Sequence, residues 1–263
     1  MNAGFLNRRE LIVNSFEQKV FFVNPELSII IPALNEEGNI IQLIERLERV
    51  RKKNGLSMEY IVVDNGSEDG TVKEGRKLEK RFKNFRIIPK VLPRGMGVAI
   101  KCGIKEARGK IGVVVMADGV DALENIPLFR KEILREGCKL VIGSRYKTPS
   151  HSQNISSAYK FWSKVYRVFT RLFMGVPVAD VTNAFRAFDL NFVRGLGIES
   201  NGFEISAEIT YKTALRGGKI GEVEGKHGKR VRGKSSFNFR KVAPGYFRVF
   251  LKGIVARIIG KWI

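Results

Sequence analysis

The chain has 263 residues, and its 47 lysines and arginines outnumber its 26 aspartates and glutamates to give a formal net charge of +21. This length suits one large α/β domain with a packed core and excludes two full-sized enzymatic domains. The basic excess predicts a polyanionic partner or surface, for which nucleic acid, anionic lipid and a phosphorylated substrate all qualify. The two cysteines, Cys102 and Cys138, lack metal-ligand spacing and are expected to be reduced core thiols of a cytosolic protein.

Residues 1–26 show no clear period and are expected to form an N-terminal arm. From residue 27 onward, short β-branched apolar runs alternate with segments whose apolar residues recur at helical spacing. The predicted strands are 27–31, 60–63, 85–91, 111–116 and 140–142. The predicted helices are 40–47, 71–82, 98–107 and 127–136, followed after a polar loop by 159–173. This alternation predicts an α/β fold with a mostly parallel open sheet and helices on both faces.

Polar residues follow three of the predicted strands, at 35–36, at 64–65 and at Asp118. Because open α/β sheets bind nucleotides at the carboxyl ends of their strands, we expect a nucleotide site at this edge. Asp64 can accept hydrogen bonds from base or ribose hydroxyls, and Asn35 lies just past the first strand. Both residues can instead cap the helices that follow them, which leaves a purely structural role open.

Several ordered motifs along the chain carry a family resemblance. They are Pro32, Ala33, Asn35 and Glu36; residues 64–71 (DNGSEDGT); 94–97 (RGMG); Ala117 and Asp118; 143–146 (GSRY); 180–187 (DVTNAFRA); 202–208 (GFEISAE); and 230–235 (RVRGKS). In order and spacing the chain resembles the family 2 glycosyltransferases over residues 27–239. The later blocks are similar to the polyprenyl-phosphate branch, the dolichol-phosphate mannose synthases. The resemblance implies a GT-A type fold and an inverting glycosyltransferase.

The resemblance also implies the substrates and the residues that bind them. The donor is a nucleoside-diphosphate sugar, with GDP-mannose favoured and glucose as the other possible hexose, and the acceptor is a polyprenyl phosphate. The residues implied in nucleotide-sugar binding are Pro32, Ala33, Leu34, Asn35, Glu36, Val63, Asp64, Asn65, Arg94, Ala117, Asp118, Arg145, Arg230, Arg232 and Ser235. The implied catalytic residues are Asp118, Arg145 and Arg232, whose chemistry suits a departing diphosphate. Glycines beside Arg94 permit close approach of a phosphate to a helix start.

The metal motif departs from the family pattern. The family usually has Asp-x-Asp at this place, and here Met116 stands where the first Asp would be. Asp118 matches the second, metal-contacting Asp, and Asp121 is expected to assist it. Mg²⁺ or Mn²⁺ commonly takes few protein carboxylates and completes its shell with phosphate and water, so one ligand can suffice. A surface turn rich in Asp and Gly is the alternative interpretation.

The nature of the acceptor decides whether the reaction needs a general base. A phosphate monoester has a second pKa of about 6 and is already an anion, so transfer to polyprenyl phosphate needs none. A family 2 enzyme that acts on a soluble saccharide or another hydroxyl acceptor would need a carboxylate base, with Asp121, Asp180 or Glu204 as candidates. A nucleic-acid-binding module is a further alternative that rests on net charge alone, and we expect no nucleic-acid partner.

The C-terminal segment, residues 241–263, is basic and amphipathic, and no acid follows Glu224 whereas eleven lysines or arginines do. No apolar run reaches the roughly 18 residues of a spanning helix, so we expect no transmembrane helix and no signal peptide. Cations beside aliphatic side chains instead predict a helix at an anionic membrane surface, with packing against the domain as the alternative. We therefore expect a catalytic domain over residues 27–240 in a cytoplasmic, peripherally membrane-associated protein.

Overall fold

The computed structural model describes residues 25–146, 157–225 and 239–262. Its strands are β1 (Leu27–Ala33), β2 (Met58–Asp64), β3 (Phe85–Ile88), β4 (Ile111–Val114), β5 (Leu140–Ser144), β6 (Arg186–Asp189) and β7 (Ile220–Glu224). They form one seven-stranded sheet in the order β3-β2-β1-β4-β6-β5-β7. Strand β6 runs antiparallel to both of its neighbours, and the other pairs are parallel. The predicted mostly parallel sheet is confirmed.

Helices cover both faces of this sheet. They are α1 (Asn39–Lys53), α2 (Thr71–Arg81), α3 (Met96–Glu106), α4 (Ile126–Leu134), α5 (Ser157–Met174), α6 (Leu190–Arg194), α7 (Ile205–Leu215) and α8 (Phe239–Ile259). Strand β1 shows the sequence basis of the two layers. Its Ile29 and Ile31 pack in a core cluster with α1, α2 and α4, and its Ile30 packs in a second cluster with α3, α7 and α8. A strand that is apolar on both faces requires cover on both.

The sheet order brings the predicted strand ends to one edge. Strand β1 lies between β2 and β4, and Ala33 at the end of β1 is paired with Asp64 at the end of β2. The loop that follows β4 carries Asp118. Since β1, β2 and β4 are parallel, the polar residues that follow them meet at the carboxyl edge, as the sequence predicts.

Three features of the sheet differ from the sequence expectation. Strand β4 ends at Val114 instead of residue 116. Strand β3 ends at Ile88 instead of residue 91, because the chain turns back toward β2: the Val91 N–H donates to the Asp64 carbonyl at 2.8 Å. Strands β6 and β7 were not predicted. They have four and five residues and carry charged side chains at their ends, which gives little periodicity to detect.

Helix α8 covers most of the basic C-terminal segment and packs on the domain along one face. Val249, Phe250 and Ala256 are buried, and the first two join the core cluster that contains α7. The opposite face exposes large apolar side chains. No helix in the described parts of the chain is long and apolar enough to span a bilayer. Residues 1–24 lie outside the described residues, and both predicted domain boundaries stay predictions.

Candidate active site

The Asp64 carboxylate at the end of β2 organises the turn that follows it. It is fully buried and accepts backbone N–H hydrogen bonds from Gly66 at 3.3 Å, Ser67 at 3.1 Å and Lys90 at 3.0 Å. Hydrogen bonds to a charged acceptor are stronger than neutral ones, so these donors fix the carboxylate. The structural role that the sequence left open for Asp64 is present, and its contact with a base or ribose stays a prediction.

Asn35 holds the same loop from the side of β1. Its backbone is left-handed, with a φ of 56°, a conformation that asparagine adopts more readily than most residues. The side-chain oxygen of Asn35 accepts the Glu68 N–H at 2.9 Å, and the Asn35 N–H donates to the Ser67 hydroxyl at 2.9 Å. The loop between the two strand ends is therefore held from both sides.

Arg94 and Asn65 lie at the same edge of the sheet. The Arg94 guanidinium donates to the Gly66 carbonyl at 2.8 Å and to the Glu68 carboxylate at 2.5 Å, while the side chain stays 54% exposed. The Asn65 amide donates to the Val91 carbonyl at 2.7 Å. The structure thus brings Asn65 and Arg94 close to the end of β2, where the sequence predicts nucleotide-sugar binding.

The backbone of Ser200 and Asn201 packs against the start of α3. The Gly97 N–H donates to the Asn201 carbonyl at 2.8 Å, and a Cβ on Gly97 would lie 2.6 Å from the Ser200 carbonyl oxygen. Buried Glu208 fixes this segment by accepting the N–H groups of Glu199 at 2.8 Å and Ser200 at 2.7 Å. Glycine is needed here for backbone packing, so the Gly97 amide is used by the protein itself instead of by a phosphate.

The loop after β4 carries the two aspartates of the predicted metal site. Asp118 is half-buried, and its Oδ1 accepts the Val120 N–H at 3.3 Å. Asp121 is buried, and its Oδ2 accepts the Met116 N–H at 2.8 Å. Burial raises the pKa of Asp121 to about 7 against the opposing hydrogen bond from Met116, and the Asp118 charge adds to the rise. Asp118 is therefore the more accessible carboxylate, and Asp121 closes the loop.

Arg145, just past β5, forms a buried ion pair with Asp180. Its Nε and Nη2 lie 2.7 Å from the two Asp180 oxygens, and the side chains are 11% and 1% exposed. Nη2 also donates to the Thr182 hydroxyl at 3.1 Å. The Arg145 charge opposes the rise in the pKa of Asp121, so the pair lies near the Asp118 loop. This two-point contact fixes the plane of the guanidinium and occupies Asp180, a candidate base in the sequence interpretation.

An apolar groove of about 490 Å³ lies between α5 and α8. Its walls are mainly aromatic and include Trp162, Phe169 and Tyr246. Thr182 lines the same groove, and its hydroxyl contacts Arg145. The groove therefore connects an apolar surface with the buried ion pair next to the strand ends.

A family model described as glycosyl transferase family 2 matches residues 28–197. The chain belongs to this family. It is 30% identical over 219 residues to a dolichol-phosphate mannosyltransferase of Pyrococcus furiosus, a match that covers 82% of this chain and 60% of the relative. It is 31% identical over 169 residues to a dolichyl-phosphate beta-glucosyltransferase of Trichomonas vaginalis, covering 60% of this chain and 48% of that relative. The chain spans 60% or less of the length of both relatives.

Solved structures show that this family 2 glycosyltransferase has the GT-A fold. The crystal structure of glucosyl-3-phosphoglycerate synthase from Mycobacterium tuberculosis, in complex with Mn²⁺, UDP and phosphoglyceric acid, matches with a TM-score of 0.62. The match covers 98% of this chain and 84% of that chain at 18% identity. The predicted fold class and the predicted membership of family 2 of the glycosyltransferases are confirmed.

Of the two aspartates in the loop after β4, Asp118 is the more accessible to a divalent cation. Asp118 supplies the hard oxygen that Mg²⁺ and Mn²⁺ prefer. Among the described residues, no group of three or more His, Cys, Asp and Glu side chains could hold a metal ion. This donor set fits a cation that takes one carboxylate and completes its shell with donor phosphate and water. The contact that Asp121 makes is with the Met116 amide, and its role as a second ligand stays a prediction.

Most of the other residues implied in nucleotide-sugar binding are buried near the ends of the strands. Buried are Pro32, Ala33, Glu36, Val63 and Ala117, and Leu34 is half-buried. The Val63 and Ala117 side chains lie in the core clusters, so these residues can face a ligand only through their backbone. Arg230, Arg232 and Ser235 lie outside the described residues.

Two arginines that shape the site were not predicted. Arg186 is buried and donates to the Ser206 carbonyl at 2.6 Å and the Val181 carbonyl at 3.0 Å. Burial lowers the pKa of Arg186 to about 10. The other is Arg46, on α1, which contacts the loop that carries Asp118. Arg186 lies in the 180–187 motif, so the sequence did draw attention to its position. The helical spacing around Arg46 gives no information about which residues Arg46 contacts.

Proposed function

We propose that this chain transfers a hexose from a nucleoside-diphosphate sugar to a polyprenyl phosphate at a membrane surface, with inversion at the anomeric carbon. Mannose from GDP-mannose is the favoured donor, and glucose is the second candidate. The names of two relatives, which refer to dolichol phosphate, support this acceptor class. The observation that carries the proposal is the aromatic groove that shares Thr182 with the Arg145 ion pair.

The groove suits a hydrocarbon chain that ends in a phosphate. Its aromatic walls favour an apolar ligand, because removing apolar surface from water stabilises the complex. Thr182 and Arg145 supply a hydroxyl and a guanidinium beside it, and both groups hydrogen-bond well to phosphate oxygens. A soluble saccharide would leave most of the apolar wall exposed to water.

The state of the candidate bases supports an acceptor that arrives as an anion. Asp180 is bound on both oxygens by Arg145, and Asp121 is buried. Glu204 accepts the Gly202 N–H at 3.0 Å and lies against α8. A hydroxyl acceptor would need one of these three carboxylates as its base, and each is either buried or held by hydrogen bonds. A phosphate monoester needs no deprotonation near neutral pH.

In this proposal the chain mainly binds and aligns charged groups. Asp118 would hold the divalent cation, which when bound neutralises charge on the departing nucleoside diphosphate. Arg145, held in one plane by Asp180, orients the acceptor phosphate toward the sugar. Arg232, outside the described residues, is proposed to contact phosphate as well.

Filling the groove is expected to raise the KM for the lipid acceptor. Ala243→Trp places an indole in the groove, where Ala243 is half-buried. We expect the KM for a long-chain polyprenyl phosphate to rise roughly tenfold or more, since each buried CH₂ contributes about 0.8 kcal/mol. The KM for a short-chain isoprenyl phosphate and for the donor should not change. Steady-state kinetics with both acceptors measure this difference.

The control for this variant is Val255→Trp, on the same helix but outside the groove lining. It should keep the wild-type KM for both acceptors. An unchanged long-chain KM in Ala243→Trp would contradict the groove as the acceptor site.

The outer faces of α5 and α8 suit a bilayer interface. Leu172 on α5 is 71% exposed and Ile258 on α8 is 78% exposed, with further large apolar side chains beside them. The two helices also carry cations, among them Arg171 and Arg248. Apolar side chains that enter the acyl boundary, next to cations that face anionic headgroups, are typical of interfacial helices. We propose peripheral attachment on the cytoplasmic side through both helices, with no nucleic-acid partner.

Introducing acidic side chains on these faces is expected to release the protein from vesicles. Leu172→Glu and Ile258→Glu each remove an exposed apolar side chain and add a charge that anionic lipid repels, so we expect the double variant to stay in the supernatant at moderate salt. Leu134→Glu on α4, at a position that is 46% exposed, is the matched control and should pellet like the wild type. Co-sedimentation with anionic liposomes measures the effect, and equal pelleting of both variants would contradict it.

A further inference from the structure

Arg46 reaches from the middle of α1 to the loop that carries Asp118. Its Nη1 donates to the Gly119 carbonyl, and its Nη2 lies 3.4 Å from the Asp121 carbonyl oxygen. Gly119 has a φ of 70°, and a Cβ there would lie 3.2 Å from Arg46 Nη1. The guanidinium is thus packed directly against the backbone of this loop.

Helix α1, which carries Arg46, is anchored in the core, whereas the loop that carries Asp118 is closed mainly by hydrogen bonds between its own residues. Leu43 and Leu47, on either side of Arg46, are buried in the core. Within the loop, the Asp121 carboxylate accepts the Met116 N–H at 2.8 Å, and the Gly119 N–H donates to the Met116 carbonyl at 3.2 Å. Arg46 therefore ties this turn to a fixed helix.

The missing first carboxylate makes the orientation of the turn important. Met116 has no oxygen in its side chain, so the cation site depends on Asp118 as its accessible carboxylate. With one protein ligand, a change in the direction of that ligand is not compensated by a second one. Groups behind a metal ligand that fix its direction commonly change metal affinity when they are replaced.

We propose that Arg46 is a positioning residue that aims the Asp118 carboxylate at the cation and the donor diphosphate. It does so by bridging the carbonyl groups of Gly119 and Asp121, on the C-terminal side of Asp118. The inference rests on the proposed function, because it concerns the same donor site. It adds a residue from α1 that none of the family motifs includes.

The charge and the geometry of Arg46 have opposite expected effects on cation binding. A guanidinium next to a divalent cation repels it, so loss of the charge alone would strengthen binding. The planar fork donates to two carbonyl groups at once, which a lysine ammonium cannot reproduce in the same geometry. The positioning role therefore predicts weaker cation binding in both Arg46→Met and Arg46→Lys.

The test uses the full chain and measures Mn²⁺ binding directly. Electron paramagnetic resonance follows free Mn²⁺ during titration in the presence of GDP, for the wild type, Arg46→Met, Arg46→Lys and the control Arg49→Met. Arg49 is exposed on the same helix. We expect Mn²⁺ affinity to fall about tenfold or more in both Arg46 variants and to stay unchanged in the control. The kcat should fall with it, while the KM for polyprenyl phosphate stays constant.

Three results would overturn the inference. Wild-type Mn²⁺ affinity in Arg46→Met, even with a lower melting temperature, would reduce Arg46 to a packing role. Wild-type affinity in Arg46→Lys together with a change in Arg46→Met would show that charge acts and geometry does not. A wild-type chain that binds no Mn²⁺ with GDP or UDP would overturn both this inference and the metal-dependent part of the proposed function.

Discussion

Replacing Asp118 by asparagine is expected to lower kcat by on the order of 10²–10³-fold while the protein stays folded. Asp118 is half-buried in the loop after β4, so an isosteric amide fits without disturbing the core. The amide lacks the negative charge that a hard divalent cation requires, and the departing diphosphate then loses its neutralising partner. Turnover measured over a range of Mn²⁺ concentrations, with a melting curve for each protein, checks this result.

Glu124→Gln is the matched control for Asp118→Asn. It removes a negative charge from an exposed acid close in sequence, in the short 3-10 helix Leu123–Asn125. It should keep both turnover and Mn²⁺ dependence. Met116→Asp restores the usual pair of aspartates and is expected to tighten Mn²⁺ binding. Retained turnover with unchanged Mn²⁺ dependence in Asp118→Asn would contradict the assignment of Asp118 as the metal ligand.

Replacing Asp180 by alanine is expected to lower the free energy of unfolding by about 3–5 kcal/mol. The Asp180 and Arg145 side chains are 1% and 11% exposed, so the variant leaves the guanidinium buried without its counter-charge. The backbone N–H of Arg145 also loses an acceptor at 3.0 Å. Urea unfolding measures the change. Turnover should fall as well if Arg145 binds the acceptor phosphate as proposed, because the guanidinium is then no longer held in one plane.

Lys139→Met is the control for this stability effect. It breaks the Lys139–Asp189 pair, whose N–O distance of 2.7 Å matches that of Arg145–Asp180, but whose side chains are 41% and 26% exposed. An exposed pair contributes less than about 1 kcal/mol, so the control should unfold close to the wild type. Equal losses of unfolding free energy in the two variants would show that burial does not increase the contribution of the Arg145–Asp180 pair to stability.

The fold could be predicted where the sequence has a long segment with helical spacing of its apolar residues, or a continuous apolar run. Strands β1 and β2 are β-branched runs buried on both faces, and helix α5 matches the predicted 159–173 segment. Strand β6 could not be found this way. It has four residues, and its place between β4 and β5 is decided by pairing with strands about 45 to 75 residues earlier in the chain. Such distant pairing leaves no local pattern.

The candidate site could be predicted only as far as strand order determines it. The placement of Asp64 and Asp118 at one edge follows from parallel strands with polar ends. The contacts of Arg46 and the pairing of Arg145 with Asp180 depend on the final packing of side chains that are 35 or more residues apart in sequence. The groove depends on how α5 and α8 lie side by side, which helical periodicity does not specify.

The most direct test of the account is sugar transfer to a lipid by the full chain. Labelled GDP-mannose and UDP-glucose are each incubated with Mn²⁺ and one acceptor: a polyprenyl phosphate, the same polyprenol without phosphate, or a water-soluble saccharide. We predict label in the organic extract with the polyprenyl phosphate, none with the polyprenol, and no transfer to the saccharide, since the candidate bases Asp121, Asp180 and Glu204 are buried or held by hydrogen bonds. Transfer to the saccharide without transfer to the polyprenyl phosphate would contradict it.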